Sequence, residues 1–391
     1  MRRVAITGAG QTVHASRRPD VTLGELCLEA IVPAVGESGL AWDEVDAVVF
    51  GCGPDLLQGV RNAYLPELVP LLGAAKPMLR IHTGGATGGS LFQAGATLVA
   101  SGWARAVLVV GAEKASEPGD VQAVLNTMWN PLFEQPIGLN AINMLALQSV
   151  RQMHVHGYTL EHFAEVTAKN RRGGLRNPFA QLRQEVTVAE VLASEVIAWP
   201  IKALECCPRS DGACALILVG DELAGRAPAP VWLRGMAECT DSMYIGDRLG
   251  DSLSEYIDAT TLRAAAHDAY RQAGIGSPFD EIDVAEIYSP FPSAEMKACE
   301  AVGFCERGEA DRLVETGALE LGGALPVNPS GGPMCANPIG ATGLVRIAEC
   351  VEQLRGTAGA HQVDGAACAI ATSSGGSSQF YTVAVFGKEA P

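Results

Sequence analysis

The stretch Ile81-His82-Thr83-Gly84-Gly85-Ala86-Thr87-Gly88-Gly89-Ser90 sets a glycine-dense turn between an apolar run and an amphipathic segment. A strand that bends this sharply into a helix presents something at the bend, and in many enzymes it is a nucleophile on a strained elbow. Here the tip offers only glycines, one alanine and Thr87. Two physical assets remain. Gly84, Gly85, Gly88 and Gly89 let backbone approach a ligand closely. The start of the following helix aims amide hydrogens and a partial positive charge at the same spot. Such donors suit the negative oxygen of an oxyanion or enolate. His82, at the strand end, is either a chemical group of the site or a packing histidine.

Other reactive side chains are dispersed. The eleven cysteines are scattered and odd in number, and none has CxxC spacing. Reduced thiols are expected rather than a disulfide framework. His154 and His156 form an HxH without an evident third ligand, so no metal is expected.

The elements that must carry the elbow are repeated. Residues 22–50 and 261–287 both read as a Thr-Leu start, a helical stretch, a glycine stop, an acidic turn and a strand. Leu23, Leu26, Ala30, Ile31 and Ala34 share one helical face, as do Leu262, Ala265, Ala266, Ala269 and Ala273. Asp43-Glu44-Val45-Asp46 recurs as Asp280-Glu281-Ile282-Asp283. The glycine turn recurs in kind at 328–343, NPSGGPMCANPIGATG, ahead of a helix over 344–354. Strands alternating with helices imply mixed sheets covered on both faces. The reading is α/β, two similar halves at 1–230 and 231–391, with a loop excursion at about 115–205. Two sheets sharing a central helical layer make five layers, αβαβα. Within the excursion, 167–185 gathers one lysine and four arginines. It is expected at the surface, as a solvated helix face or a phosphate-contacting loop.

Composition narrows the function class. The chain has 391 residues, 48% hydrophobic, enough for a large core. A net charge of −16 argues against nucleic acid or an anionic membrane as partner. No run approaches the roughly 18 apolar residues of a membrane span. The start, MRRVAITGAGQ, lacks the order of a signal peptide. A cytoplasmic protein is expected.

These motifs, taken in order, resemble the thiolase superfamily, and within it the lipid-transfer and sterol-carrier type. CCPRSDGACALILV (206–219) is similar to that family's D-G-A strand entry. VAEIYSPFPSAEM (284–296) occupies the place of its N-E-A-F or H-D-C-F loop, NPSGGPMCANPIGATG that of its G-H-P loop, and IATSSGGSS (370–378) that of its C-x-G. The resemblance implies a five-layered fold, a homodimer, acyl-CoA thioester substrates, and often a small zinc-ribbon/OB-fold partner. No cofactor is expected to reside in this chain; coenzyme A enters as part of the substrate.

The departures are chemical. The family's nucleophilic cysteine falls on Gly85, the Asn or His of the catalytic loop on Tyr288, the His of G-H-P on Asn337, and the Cys of C-x-G on Ser373. Thiolysis needs a thiolate and a second acid/base, and these residues do not supply them. The chain resembles the steroid side-chain aldolases, which also lack the cysteine and carry a tyrosine in the 288 loop, but which have a second tyrosine where this chain has Asn337. That resemblance implies retro-aldol cleavage of a bulky β-hydroxyacyl-CoA, with Gly84, Gly85, Gly88 and Gly340 holding the thioester. Tyr288 then transfers the proton, Asn337 serves the oxyanion, and Ser373 and His82 assist. Gly85, Ala86 and Gly88 are consistent with space for a bulky acyl group. Two alternatives stand: an acyltransferase using a displaced thiol, Cys335, or a non-catalytic acyl-CoA-binding subunit.

Overall fold

The computed structural model describes residues 2–53, 76–117, 119–242, 244–248, 255–376 and 378–391. Its strands are β1 (Val4–Gln11), β2 (Ala47–Gly51), β3 (Met78–Arg80), β4 (Ala106–Lys114), β5 (Val196–Ala198), β6 (Ile201–Lys202), β7 (Asp211–Gly220), β8 (Val231–Thr240), β9 (Val284–Glu286), β10 (Cys368–Gly375) and β11 (Phe380–Gly387). The longer helices are α1 (Leu23–Ser38), α2 (Thr87–Ala100), α3 (Ala141–His156), α4 (Leu160–Arg176), α5 (Thr260–Ala273), α6 (Pro292–Ala301) and α7 (Thr342–Arg355).

The duplication is visible in the strand ladder. The main sheet runs β3-β2-β4-β7-β1-β8-β11-β10-β9. In the first half β2 pairs parallel with β3 and β4, and β7 is antiparallel to both β4 and β1. In the second half β9 is parallel to β10 and bridges in parallel to Val327, while β11 is antiparallel to both β10 and β8. The order and directions repeat, with Val327 standing where β3 stands. The halves join where Ala5 and Ile6 of β1 meet Trp232 and Val231 of β8.

Period-2 alternation divides the core into layers. Val107 and Val109 of β4 face a central core with Leu91 and Phe92 of α2 and Leu344 and Val345 of α7. Leu108 and Val110 face outward, under Leu26, Ala30 and Ile31 of α1. On the far side α5 lays Leu262, Ala265 and Ala269 over Val383, Val385 and Ile370. The result is the expected five layers. Local chemistry sets the outer helices: Thr22 and Glu25 form a reciprocal cap at the start of α1, and Gly39 ends it at φ 69°.

The stretch 167–185 corrects the sequence reading. Its first part is the C-terminal half of α4, and Lys169, Asn170, Arg171, Gly173 and Gly174 are buried. Lys169 pairs with Glu295 at 2.8 Å, Arg171 donates to the Leu204 carbonyl at 3.1 Å, and Arg172 is bonded to Glu320. Polar composition suggested solvent throughout; Lys169 and Arg171 instead meet distant partners inside the protein, Arg172 and Glu320 pair half-buried, and Arg176 and Arg183 are exposed as expected. No described helix is long and apolar enough to cross a membrane.

Candidate active site

The elbow is held by hydroxyls. Thr87 donates from Oγ1 to the Gly84 carbonyl at 2.7 Å and accepts from the Thr83 amide at 3.0 Å. Thr83 Oγ1 lies 2.9 Å from Ser90 Oγ, which in turn donates to Glu238 at 2.9 Å. Gly84 adopts φ 61°, in the left-handed region that favours glycine. The amides of Ala86 and Thr87 close the turn on the Thr83 and Gly84 carbonyls.

Gly85 has no side chain because its place is taken. A Cβ built there would lie 2.6 Å from the Tyr288 phenol oxygen and 2.5 Å from the Ser374 carbonyl oxygen. Tyr288 therefore fills, with its phenol, the space that any side chain at Gly85 would need. Its backbone is pinned by an N–H bond to Thr372 Oγ1 at 3.0 Å. Gly85 and Tyr288 are both half-buried, so this pair borders solvent. Burial, reinforced by the Cys207 thiol, pushes the Tyr288 phenol above its ordinary range. It is a neutral donor at physiological pH.

Asn337 is buried and held at three atoms. Its amide donates to Ser210 Oγ at 3.0 Å, its Oδ1 accepts from Thr342 Oγ1 at 2.8 Å, and its Nδ2 meets Cys207 Sγ at 3.4 Å. Cys207, beside Asn337, is a residue for which the sequence reading gave no chemical role. Adjacency to Cys206 carried no signal, and only the fold brings it beside Asn337. Burial pushes this thiol up to about 11.

The remaining candidates separate from this group. Ser373 is buried between the two helix starts: a Cβ on Gly343 would lie 2.2 Å from its Oγ, and one on Gly89 would lie 2.7 Å from it. Gly88 packs against the other helix, where a Cβ would meet the Leu344 nitrogen at 2.4 Å. Gly340 packs on Cys52 and Gly53 and donates to Glu113 at 3.2 Å. Ala86 is buried too. The space anticipated at Gly85, Ala86 and Gly88 is thus filled by Tyr288 and by α7. His82 is exposed at the rim. Cys335 is enclosed under α4, where Sγ donates to the Asn170 carbonyl at 3.2 Å and packs on Gly174. Burial pushes it up to about 11.

Residues 250–388 match the family model described as "Thiolase C-terminal domain-like". The chain is 32% identical to an acetyl-CoA acetyltransferase of Methanothermobacter thermautotrophicus, over 99% of this chain and all of that one. It belongs to the thiolase superfamily. Human sterol carrier protein 2 is 30% identical over 95% of this chain and 69% of its own length, which places the chain with the sterol-carrier-type thiolase-like proteins. A solved structure described as an "Ltp2-ChsH2(DUF35) aldolase" superposes with a TM-score of 0.84 at 28% identity, covering 99% of this chain and 98% of that one. The chain is accordingly a thiolase-fold enzyme of an acyl-CoA family.

Proposed function

We propose that this enzyme cleaves the Cα–Cβ bond of a bulky β-hydroxyacyl-CoA by a retro-aldol reaction, without an acyl-enzyme. The observation that carries this reading is the Tyr288 phenol beside the space a side chain at Gly85 would need. The relative described as an aldolase supports it. In the reaction the β-hydroxyl loses its proton, the C–C bond pair passes to the α-carbon and thioester, and a ketone leaves. The α-carbon is protonated in the same concerted event, as the bond breaks and enolate character develops. One proton moves from oxygen to carbon, so a group that begins and ends neutral serves. Tyr288, held neutral by burial, is assigned that exchange: it gives its proton to the carbon as it receives the hydroxyl's. The Gly84 and Gly85 amides and the start of α2 are assigned to the thioester oxygen, and Asn337 Nδ2 to a second donor position. His82 is kept as a rim contact for substrate, and Ser373 is assigned to helix packing. The size of the acyl chain rests on the resemblance to steroid side-chain aldolases, since the elbow glycines add no space for it.

We also assign residues 1–230 and 231–391 to the two halves, the working state to a homodimer in the cytoplasm, and a small zinc-ribbon/OB-fold protein to the role of partner. The ChsH2(DUF35) component of the aldolase relative supports a two-protein assembly.

A thiolase reaction is the second reading, favoured by the relatives named acetyltransferase and by Cys207 beside Asn337. With its thiol at about 11, only about one molecule in ten thousand is thiolate at pH 7, and the thiolate is the nucleophile. The deciding experiment incubates the protein, with any such partner, with β-hydroxyacyl-CoAs and β-ketoacyl-CoAs, with and without free CoA. Cleavage of the hydroxy compound without added CoA is expected. Turnover of the keto compound only when CoA is present selects the transferase, and tight binding without turnover selects a non-catalytic subunit.

A further inference from the structure

We infer that Asn328 and Glu295 are positioning residues for Tyr288; the catalytic meaning of this rests on the proposed role of that tyrosine, but the geometry does not. Asn328 is buried and adopts φ 52°, a conformation that non-glycine residues rarely take. From there its side chain holds both chain neighbours of Tyr288. Its Oδ1 accepts the Ile287 amide at 2.7 Å, and its Nδ2 donates to Ser289 Oγ at 3.0 Å. The same Nδ2 donates to Glu295 Oε2 at 2.7 Å, and Ser289 Oγ donates to that oxygen at 3.1 Å. Glu295, on the first turns of α6, is fully buried. Asn170 Nδ2 donates to its Oε2 at 2.8 Å, and Lys169 pairs with its Oε1 at 2.8 Å. Lys169 also donates to the Val327 carbonyl at 2.5 Å, beside Asn328.

The assignment follows from donor and acceptor inventory. The position at 328 must accept from one backbone amide and donate to a carboxylate, and a carboxamide does both. The amide N–H of Ile287 fixes which end is oxygen. An aspartate there would face Glu295 as a second buried carboxylate. The cluster supplies no group to the elbow through any of these bonds. Its work is to fix the three residues 287–289, with Thr372 fixing the amide between them. A phenol that exchanges protons with a bound substrate must be held to within a fraction of an ångström, and a misplacement of about 1 Å costs on the order of 100-fold in rate.

The test is Asn328→Gly, because glycine accepts the same backbone conformation and removes only the carboxamide. The readout that does not depend on which reaction is catalysed is NMR of ring-labelled tyrosine. The chain has seven tyrosines, and the Tyr288 signal is assigned by its loss in Tyr288→Phe. The expected result is a shifted or broadened Tyr288 signal in Asn328→Gly, the other signals staying in place. In the cleavage assay kcat falls on the order of 100-fold with KM for the acyl-CoA changed less than about threefold. Should Asn328→Gly fail to fold, Glu295→Gln is read by the same criteria, with a smaller displacement. An unmoved Tyr288 signal in the folded variant overturns the inference. A displaced Tyr288 signal with undiminished turnover leaves the geometry standing and sinks the proposed role of the phenol instead.

Discussion

The duplication placed two glycine-rich helix starts back to back, and they have taken different work. At the first, Thr83 to Gly85 are half-open and face a phenol. At the second, residues 330–354 run almost wholly through the interior. Gly340 and Gly343 there accommodate backbone and Ser373 rather than a ligand, and α7 carries buried ion pairs, Arg346 with Glu286 and Glu349 with His361. The absence of a Cβ thus serves opposite ends. At Gly85 it admits the Tyr288 oxygen; at Gly88 and Gly343 it lets two helices touch, and at Gly89 it leaves room for Thr382 and Ser373.

That contrast is broken most severely at Tyr288. Replacing it by phenylalanine removes the oxygen and keeps the ring, and the cleavage rate is expected to fall 10²- to 10⁴-fold, the usual range for a general acid–base group, with acyl-CoA affinity little changed in a binding titration. An undiminished kcat would move the chemistry elsewhere.

The second region is tested through stability. Burial alone would raise the Glu349 carboxyl, but His361, Arg346 and Gln11 outweigh it and hold it at about 2. Burial lowers the His361 ring, and the Glu349 carboxylate more than restores it, leaving a raised value. A depressed acid stabilises the fold above its unfolded pKa of about 4.3 and loses that contribution as pH falls toward 2. A raised histidine stabilises it below about 6.5 and loses that contribution as pH rises through the folded value. Denaturant titrations should therefore show a stability plateau between about pH 4.5 and 6.5. Glu349→Gln should lower it by about 3 kcal/mol and flatten both flanks. Unchanged flanks would contradict the pairing.

Gly88→Ala drives a methyl to within 2.4 Å of the Leu344 nitrogen, and a cost of about 1–3 kcal/mol in unfolding free energy is expected from overpacking. Gly85→Ala should instead couple to the tyrosine. The penalty of Gly85→Ala measured in a Tyr288→Phe background should shrink by at least about 0.5 kcal/mol, a size common for residues in contact. Additive penalties would mean that the two side chains do not compete for one space. The smallest effect is expected at Cys335→Ala, about 1 kcal/mol in stability and less than twofold in kcat; a larger rate loss would revive a thiol mechanism.

The fold was legible because its signals are local. The apolar faces of α1 and α5, the paired acidic turns and the two glycine stretches fall within short windows and point to one duplicated architecture. The site was legible only in part. The glycine elbow and Tyr288 stood out, but a motif glycine does not say what needs its space: at Gly88 it is the start of α7, and at Gly340 it is the chain at Cys52 and Gly53. Lys169 and Asn170 looked like surface because their partner, Glu295, lies 125 residues from Asn170 along the chain. Cys207 and Asn328 gave no periodic or spacing signal. Their meaning comes from contacts with residues 130 and 41 positions away.

The measurement closest to the central claim is intact-protein mass spectrometry on enzyme quenched during turnover of a β-hydroxyacyl-CoA without added CoA. The account predicts ketone and shortened acyl-CoA in equal amounts and protein at its unmodified mass at every time point. A substrate-derived adduct that appears and decays at the rate of turnover, on Cys207 or any other side chain, would contradict it.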